Sequence, residues 1–266
     1  MLVNHRIRNK VIAITGASSG LGEQIAYKCA QNGATVILLA RTMKKLKRMK
    51  DDIEKKYSVA CGIWELDVSQ HENITNTFKE IYENFGIIDV LVNNAGYGVF
   101  EEAYTTSIVD IKGMFDVNVI GLMACTKEVI PFMRQKKFGH IINIASQAGK
   151  IATPKSSVYA ATKHAVIGYS NSIRMELDPY HIFVTTVNPG PIATNFFQIA
   201  DQSGTYVKSV EKFMLNPEHL ADKIVNSMLT KRREINAPRW MNTGSIIYSL
   251  FPKLVERIGR KAFYKK

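Results

Sequence analysis

Apolar, β-branched runs recur along the chain at residues 11–15 (VIAIT), 35–40 (TVILLA), 60–66 (ACGIWEL), 87–93 (IIDVLVN), 140–146 (HIINIAS) and 181–188 (HIFVTTVN). Each is nearly continuous in apolarity rather than alternating, the pattern of a strand buried on both faces of a parallel sheet. Between them lie longer segments with helical spacing. Several open on recognisable caps: Ser69 with Glu72 three residues on, Ser107 with Asp110, and Asn216 followed by Pro217. Strand and helix alternate through the first 190 residues, which predicts βαβ units and a doubly wound parallel α/β sheet with helices on both faces. No repeat, low-complexity tract or Pro/Gly-rich linker interrupts the pattern. The expected organisation is one domain over residues 1–239 and a C-terminal extension over 240–266.

Composition narrows the class. A chain of 266 residues, 46% apolar and 22% charged, buries a full core without disulfides or metal staples. Cys29, Cys61 and Cys125 are odd in number, widely spaced and set among apolar neighbours, so a reducing compartment is expected rather than a disulfide framework. No run approaches the roughly 20 unbroken apolar residues of a membrane-spanning helix, and the N-terminus MLVNHRIRNK lacks the apolar core of a secretion signal. A cytoplasmic protein is expected. The histidines show no metal-ligand spacing, and no metal is expected. The formal charge of +12 sits mainly in two blocks, 41–56 with eight Lys/Arg against three Asp/Glu and 253–266 with six against one. Such runs are usually solvated helix faces, so nucleic acid is not the expected partner.

The first strand runs straight into Thr15-Gly16-Ala17-Ser18-Ser19-Gly20-Leu21-Gly22 and then into a helical stretch. Glycines at this spacing let the chain turn sharply, bring backbone N–H groups to a pyrophosphate and pack the helix close to the sheet. Taken alone, such a turn is often only a turn. Farther on, Tyr159 and Lys163 stand four apart in a helical segment, so their side chains share one face. An ammonium beside a phenol favours the phenolate and is expected to lower the tyrosine pKa from about 10 toward working pH.

The segment TGASSGLG resembles the glycine motif of the short-chain dehydrogenase/reductase family, in its branch of about 250 residues by ordinary domain size. The resemblance continues in order through Asn93-Asn94-Ala95-Gly96, Asn118, Ser146, Tyr159 with Lys163, and Asn188-Pro189-Gly190, covering residues 8–235. It implies a Rossmann-type fold and hydride transfer between a nicotinamide nucleotide and a carbonyl or secondary alcohol. It also implies roles: Ser146 hydrogen-bonds the substrate oxygen, Tyr159 exchanges the proton, Lys163 tunes Tyr159 and holds the nicotinamide ribose, and Asn118 anchors a water relay. Ser146 and Tyr159 are the implied substrate contacts. For the cofactor, the resemblance points to Gly16, Ser18, Ser19, Gly20, Leu21, Gly22, Arg41, Asp67, Val68, Asn94, Ala95, Gly96, Pro189, Gly190, Ile192 and Thr194, besides Tyr159 and Lys163.

The second strand ends Leu38-Leu39-Ala40-Arg41, without the acid that would accept from a ribose 2′-hydroxyl and repel a 2′-phosphate. A guanidinium there favours NADP(H) over NAD(H). Ser19 stands where many NADPH-preferring relatives carry Lys or Arg. Asp67 matches the family position that bonds the adenine amino group, although an Asp at that point also serves simply to cap a turn. Residues 190–216 correspond to the family's lid, and their Phe196, Phe197, Ile199, Tyr206, Phe213 and Met214 suit either a lipophilic ketone or plain packing. The basic, aromatic-bearing tail from Trp240 to Lys266, split by Pro252, is similar to the extension of the 11-beta-hydroxysteroid dehydrogenase-like branch. That likeness implies a homodimer, or within the family a homotetramer, and peripheral contact with lipid. Docking on the core and a rim for the substrate pocket remain open. The alternative function is a non-catalytic nucleotide-binding or RNA-binding protein on the same fold.

Overall fold

The computed structural model of the chain describes residues 4–201 and 204–263, the last four by backbone alone. Tail residues Tyr264, Lys265 and Lys266 and lid residues Gln202 and Ser203 lie outside the described residues. Seven strands, β1 (Val11–Thr15), β2 (Thr35–Ala40), β3 (Cys61–Glu65), β4 (Val90–Asn93), β5 (Gly139–Ile144), β6 (Ile182–Pro189) and β7 (Glu234–Ala237), form one parallel sheet in the order β3-β2-β1-β4-β5-β6-β7. The helices are α1 (Gly20–Gln31), α2 (Met43–Tyr57), α3 (His71–Phe85), α4 (Ile108–Phe115), α5 (Leu122–Lys136), α6 (Ser157–Leu177), α7 (Phe196–Ala200), α8 (Thr205–Val210), α9 (Pro217–Ser227), α10 (Arg239–Leu250) and α11 (Pro252–Phe263).

Side chains alternate across each strand, and both faces are dry. Ile12 and Ile14 of β1 with Val36 and Leu38 of β2 pack under Ile25 of α1, Leu46 of α2 and Ile224 of α9. Ala13, Ile37, Leu39 and Leu91 face Phe78 of α3, Val129 of α5 and Ile173 of α6. This is why the strands read as continuous apolar runs. β1 pairs with β2 on one side and β4 on the other, so the chain's winding direction reverses between β1 and β4. Loops leaving the carboxyl ends of those two strands diverge and open a crevice.

Three local expectations change. The run at 87–93 is strand only from Val90, because Gly86 closes α3 in the left-handed region (φ +69) and Asp89 turns its carboxylate onto the Val11 amide at 2.9 Å. Ser69 does not cap α3: Gln70 occupies the cap position while the Ser69 amide and hydroxyl donate to Asp67 Oδ1 at 3.0 and 2.7 Å. Strand β7 escapes the sequence pattern because it is a four-residue edge strand of mixed polarity, EINA. Ser107 and Asn216 do cap their helices, Asn216 accepting from the Glu218 and His219 amides. Cys29, Cys61 and Cys125 are buried free thiols, and burial pushes all three up, Cys61 and Cys125 to about 12. Among the described residues no helix is long and apolar enough to cross a membrane.

Candidate active site

The turn after β1 is bolted to the turn after β4. Thr15 Oγ1 accepts from the Asn94 and Ala95 amides at 3.0 and 3.1 Å, and Asn94 Nδ2 donates to the Thr15 and Gly16 carbonyls at 3.0 and 3.1 Å. There is no room for a side chain at this junction: a Cβ on Gly16, which has φ +64, would lie 2.8 Å from Ala95 Cα, and one on Gly22 would lie 2.5 Å from the Gly16 carbonyl. Ser19 precedes α1 in extended conformation, and its side chain makes no cap hydrogen bond. The first amides of α1, from Gly20 through Leu21 and Gly22, therefore keep the positive end of the helix open to an anion, with half-buried Ser18 beside them. Thr194 closes over this turn, since a Cβ on Gly20 would meet its methyl at 3.2 Å. These residues fit a dinucleotide's pyrophosphate, by the chemistry of the donor set and by the close glycine approach.

Asn118 sits not in a regular helix but in a π-turn, Asp116–Gly121, between α4 and α5. Such a turn re-aims a side chain and often marks a site. Its Oδ1 accepts from the Tyr97 amide at 3.0 Å, and its Nδ2 donates to the Tyr97 carbonyl at 2.8 Å and to Thr162 Oγ1 at 3.1 Å. The buried amide thus ties the loop after Gly96 to α6. A Cβ on Gly96 would lie 2.9 Å from Asn118 Oδ1 and 3.5 Å from Lys163 Nζ, so the two polar groups border one small gap.

Tyr159 and Lys163 lie one turn apart on α6, both buried. Lys163 Nζ donates to the Ile144 carbonyl at 2.9 Å and lies 5.7 Å from the centre of the Tyr159 ring. Ser146, just past β5, opens a 3-10 turn; its Oγ accepts from the Ala148 amide at 3.1 Å and donates to the Pro189 carbonyl at 3.4 Å. In the chain by itself, burial works against the expected lowering of the tyrosine by lysine. Burial pushes the phenol up to about 12, with the Ser146 hydroxyl pulling the other way, and burial lowers the Lys163 ammonium to about 8. The same dry surroundings disfavour both charges.

Aromatic rings wall this phenol. Phe100 lies 5.9 Å and Phe196 5.6 Å from Tyr159 between ring centroids, and Phe197 and Tyr206 continue the cluster at 5.3 and 5.6 Å from ring to ring. Gly98 permits it, since a Cβ there would lie 2.9 Å from Tyr159 Cδ2. The segment 190–216 is pinned at its base by a bridge between Ile192 and Leu215, and it touches the loop after β4 where the Phe100 amide donates to the Ala200 carbonyl at 2.9 Å. The sequence reading missed Gly98, Phe100, Tyr97 and Thr162. For Tyr97, Gly98 and Phe100 the available signal was the run YGVF directly after the Asn-Asn-Ala-Gly motif.

The remaining expected cofactor residues lie at or just beyond the carboxyl ends of β2, β3 and β6. Arg41 follows β2 and is exposed; its charge reaches the Tyr97 hydroxyl, opposing burial, Asp110 and Asp116, which together push that phenol up. Asp67 is half-buried, with one oxygen committed to Ser69. Val68 is buried, and its carbonyl faces Gly121 in the π-turn. Pro189 ends β6, and the Gly190 amide donates to the Ala237 carbonyl at 2.6 Å. Among the described residues no group of His, Cys, Asp and Glu is assembled to hold a metal.

Comparison with known proteins places this geometry. Residues 10–203 match a family model described as short chain dehydrogenase. An uncharacterised oxidoreductase of Staphylococcus epidermidis is 31% identical over 231 residues, covering 87% of this chain and 95% of that one. The rat dehydrogenase/reductase SDR family member 7B is 31% identical over 264 residues, covering 95% and 81%. Among solved structures, an alcohol dehydrogenase from Thermococcus sibiricus complexed with 5-hydroxy-NADP superposes with a TM-score of 0.78 at 26% identity, over 85% of this chain and 95% of that one. A short chain dehydrogenase/reductase from Burkholderia phymatum in complex with NAD has a TM-score of 0.86 at 22% identity, over 96% of each chain, and shares the fold.

Proposed function

The chain belongs to the short-chain dehydrogenase/reductase family and is an oxidoreductase of that family; from that premise we propose that it is an NADP(H)-dependent enzyme interconverting a lipophilic ketone and its secondary alcohol. The observation that carries this reading is the buried Tyr159 phenol, one turn from Lys163 on α6 and walled by Phe100 and Phe196, in the same fold as the glycine cradle. A bound nicotinamide nucleotide would supply or take the hydride. Gly16, Ser18, Ser19, Gly20, Leu21 and Gly22 would hold its pyrophosphate, Arg41 a 2′-phosphate, Asp67 and Val68 the adenine end, and Asn94 to Gly96, Pro189, Gly190, Ile192 and Thr194 the nicotinamide half.

In the reductive direction Ser146 and Tyr159 donate hydrogen bonds to the substrate carbonyl, and Tyr159 passes its proton to the oxygen as charge develops there. The phenolate that results forms beside the Lys163 ammonium, which stabilises it and holds the ribose. Asn118 fixes the loop between them and anchors the water path that returns the proton. Phe100, Phe196 and Phe197 exclude water and select apolar substituents. In the alcohol-oxidising direction every proton step reverses.

The protein is proposed to act in the cytoplasm as a homodimer or homotetramer, its three buried thiols suiting a reducing compartment. The face of α10 and α11 that exposes Ile246, Ile247, Leu250, Leu254 and Ile258 offers the partner contact first and a membrane surface second. No nucleic-acid partner is invoked.

Replacing Tyr159 by Phe tests the chemistry. It removes the transferable proton and leaves the ring, so NADPH binding stays and turnover of a ketone falls by roughly 10²-fold to 10⁴-fold. Retention of more than about a tenth of wild-type turnover would refute the role, because positioned acid catalysis is worth more than that.

A further inference from the structure

The serine turn is gripped from outside the active site. Ser146 is extended (φ -169, ψ 160), and its hydroxyl reaches the Pro189 carbonyl only at 3.4 Å, so the position of the hydroxyl follows the position of the 3-10 turn behind it, Gln147–Gly149. Gln147 Nε2 donates to the Asn188 carbonyl at 2.8 Å. Gly149 lies against α6, where a Cβ would come within 2.7 Å of the Lys163 carbonyl oxygen. The third hold is Lys150, the residue that ends the turn.

Lys150 Nζ donates to Glu234 Oε2 at 2.6 Å, Asn236 Oδ1 at 3.0 Å and Asn242 Oδ1 at 3.0 Å. An ammonium has three donors, and all three go to groups more than eighty residues away in sequence, on β7 and on α10. The Lys150 and Glu234 side chains are only 17% and 23% exposed, unlike a surface pair worth little in water. Asn236 is tied again by Asn188 Nδ2 at 2.9 Å, beside the Asn188–Asn236 register of β6 and β7. Helix α10 meets the other arm of the site too: a Cβ on Gly190 would lie 2.7 Å from Met241 Sδ.

We propose that Lys150 is a positioning residue, a latch through which β7 and the C-terminal helix α10 set the Ser146 hydroxyl against Tyr159. This rests on the carbonyl-reductase reading above and adds a part of the chain, residues 234–242, that touches no reacting atom. A half-buried, three-way ammonium clamp orients better than a single pair, because three acceptors fix the direction of Nζ where one would leave it free to swing. Displacing α10 would therefore be felt at the serine.

The test is a double-mutant cycle in the full-length protein, following NADPH oxidation with a ketone that the wild type reduces. Lys150→Met is expected to lower kcat about tenfold, since misplacement by a fraction of an ångström carries such losses, while the Kd for NADPH stays within about twofold. In a Ser146→Ala background the same change is expected to cost nothing further, because its effect runs through the serine. Asn242→Ala, which removes only the α10 arm, should give a smaller loss of the same kind, absorbed entirely in the Lys150→Met protein, and it keeps the test open if Lys150→Met fails to fold. Hydrogen exchange without substrate should quicken at the amides of Ala148 to Ile151 and not in β1 to β4. Unchanged kcat in Lys150→Met, losses that multiply with Ser146→Ala, or exchange that quickens throughout the sheet would each overturn the latch. A wild-type protein that reduces no carbonyl with either nucleotide defeats the function instead, and the exchange pattern then decides the latch alone.

Discussion

Gly22→Ala puts the cofactor cradle to its sharpest test, because the available space can be measured. A Cβ at this position would lie 2.4 Å from Asn94 Nδ2 and 2.5 Å from the Gly16 carbonyl oxygen, where ordinary contact begins at 3.4 Å. Gly16 cannot yield readily, since it holds φ +64 and its own α-carbon faces Ala95. The relief left is to push Asn94 away, breaking its bonds to the Thr15 and Gly16 carbonyls. Overpacking of this kind costs about 1–3 kcal/mol, and two lost hydrogen bonds add about 1 each, offset by the roughly 1 kcal/mol that alanine gains over glycine in a helix. A net destabilisation of about 2–4 kcal/mol corresponds to a Tm lower by about 4–16 °C for a domain of this size. Because the displaced groups are the ones that frame the pyrophosphate, the Kd for NADPH should rise by at least about tenfold, measured by fluorescence titration. Gly168→Ala is the matched control: a Cβ there meets nothing within 4 Å, and the change should leave Tm unchanged or slightly raised. A Gly22→Ala protein that melts like wild type and binds NADPH equally well would show that the turn is not a close-packed cradle.

Arg41→Ala should raise the Kd for NADPH by at least about tenfold, or about 1.4 kcal/mol, and leave NADH nearly unchanged; equal losses for the two would remove Arg41 from 2′-phosphate recognition. His140 is buried between Thr185 Oγ1 and the Leu229 amide, and burial lowers it to about 3. The unfolded chain therefore binds a proton below about pH 6.5 that the folded chain refuses, so stability is full above that pH and falls as pH drops toward 3, by at most roughly 1–1.5 kcal/mol per unit. A folded-state NMR titration of this ring with a midpoint near 6.5 would contradict that. Deleting residues 251–266 removes α11 and should leave the sheet and NADPH binding intact while lowering the sedimenting mass; unchanged mass with lost binding to anionic vesicles would move the exposed face to lipid. The cut must fall after α10, because one at 241 would also take Asn242 from Lys150.

Local pattern was enough for most of the sheet. Six of the seven strands announce themselves because both faces of the sheet are buried, which forces continuous apolarity on the sequence. The Ser107 and Asn216 caps are equally local, each bonding amides within three residues. The candidates Ser146, Tyr159, Lys163 and Asn118 came from the ordered family resemblance rather than from spacing by itself. What the chain order could not carry is everything settled by distance and dryness. The edge strand β7 is polar in sequence and becomes a strand only by pairing with β6. The π-turn at Asn118 follows from its hold on Tyr97 and Thr162 across the fold. The Lys150 clamp joins residues from three elements. A spacing of four residues says that Tyr159 and Lys163 share a face, whereas burial beside Phe100 and Phe196 pushes the phenol up and the ammonium down.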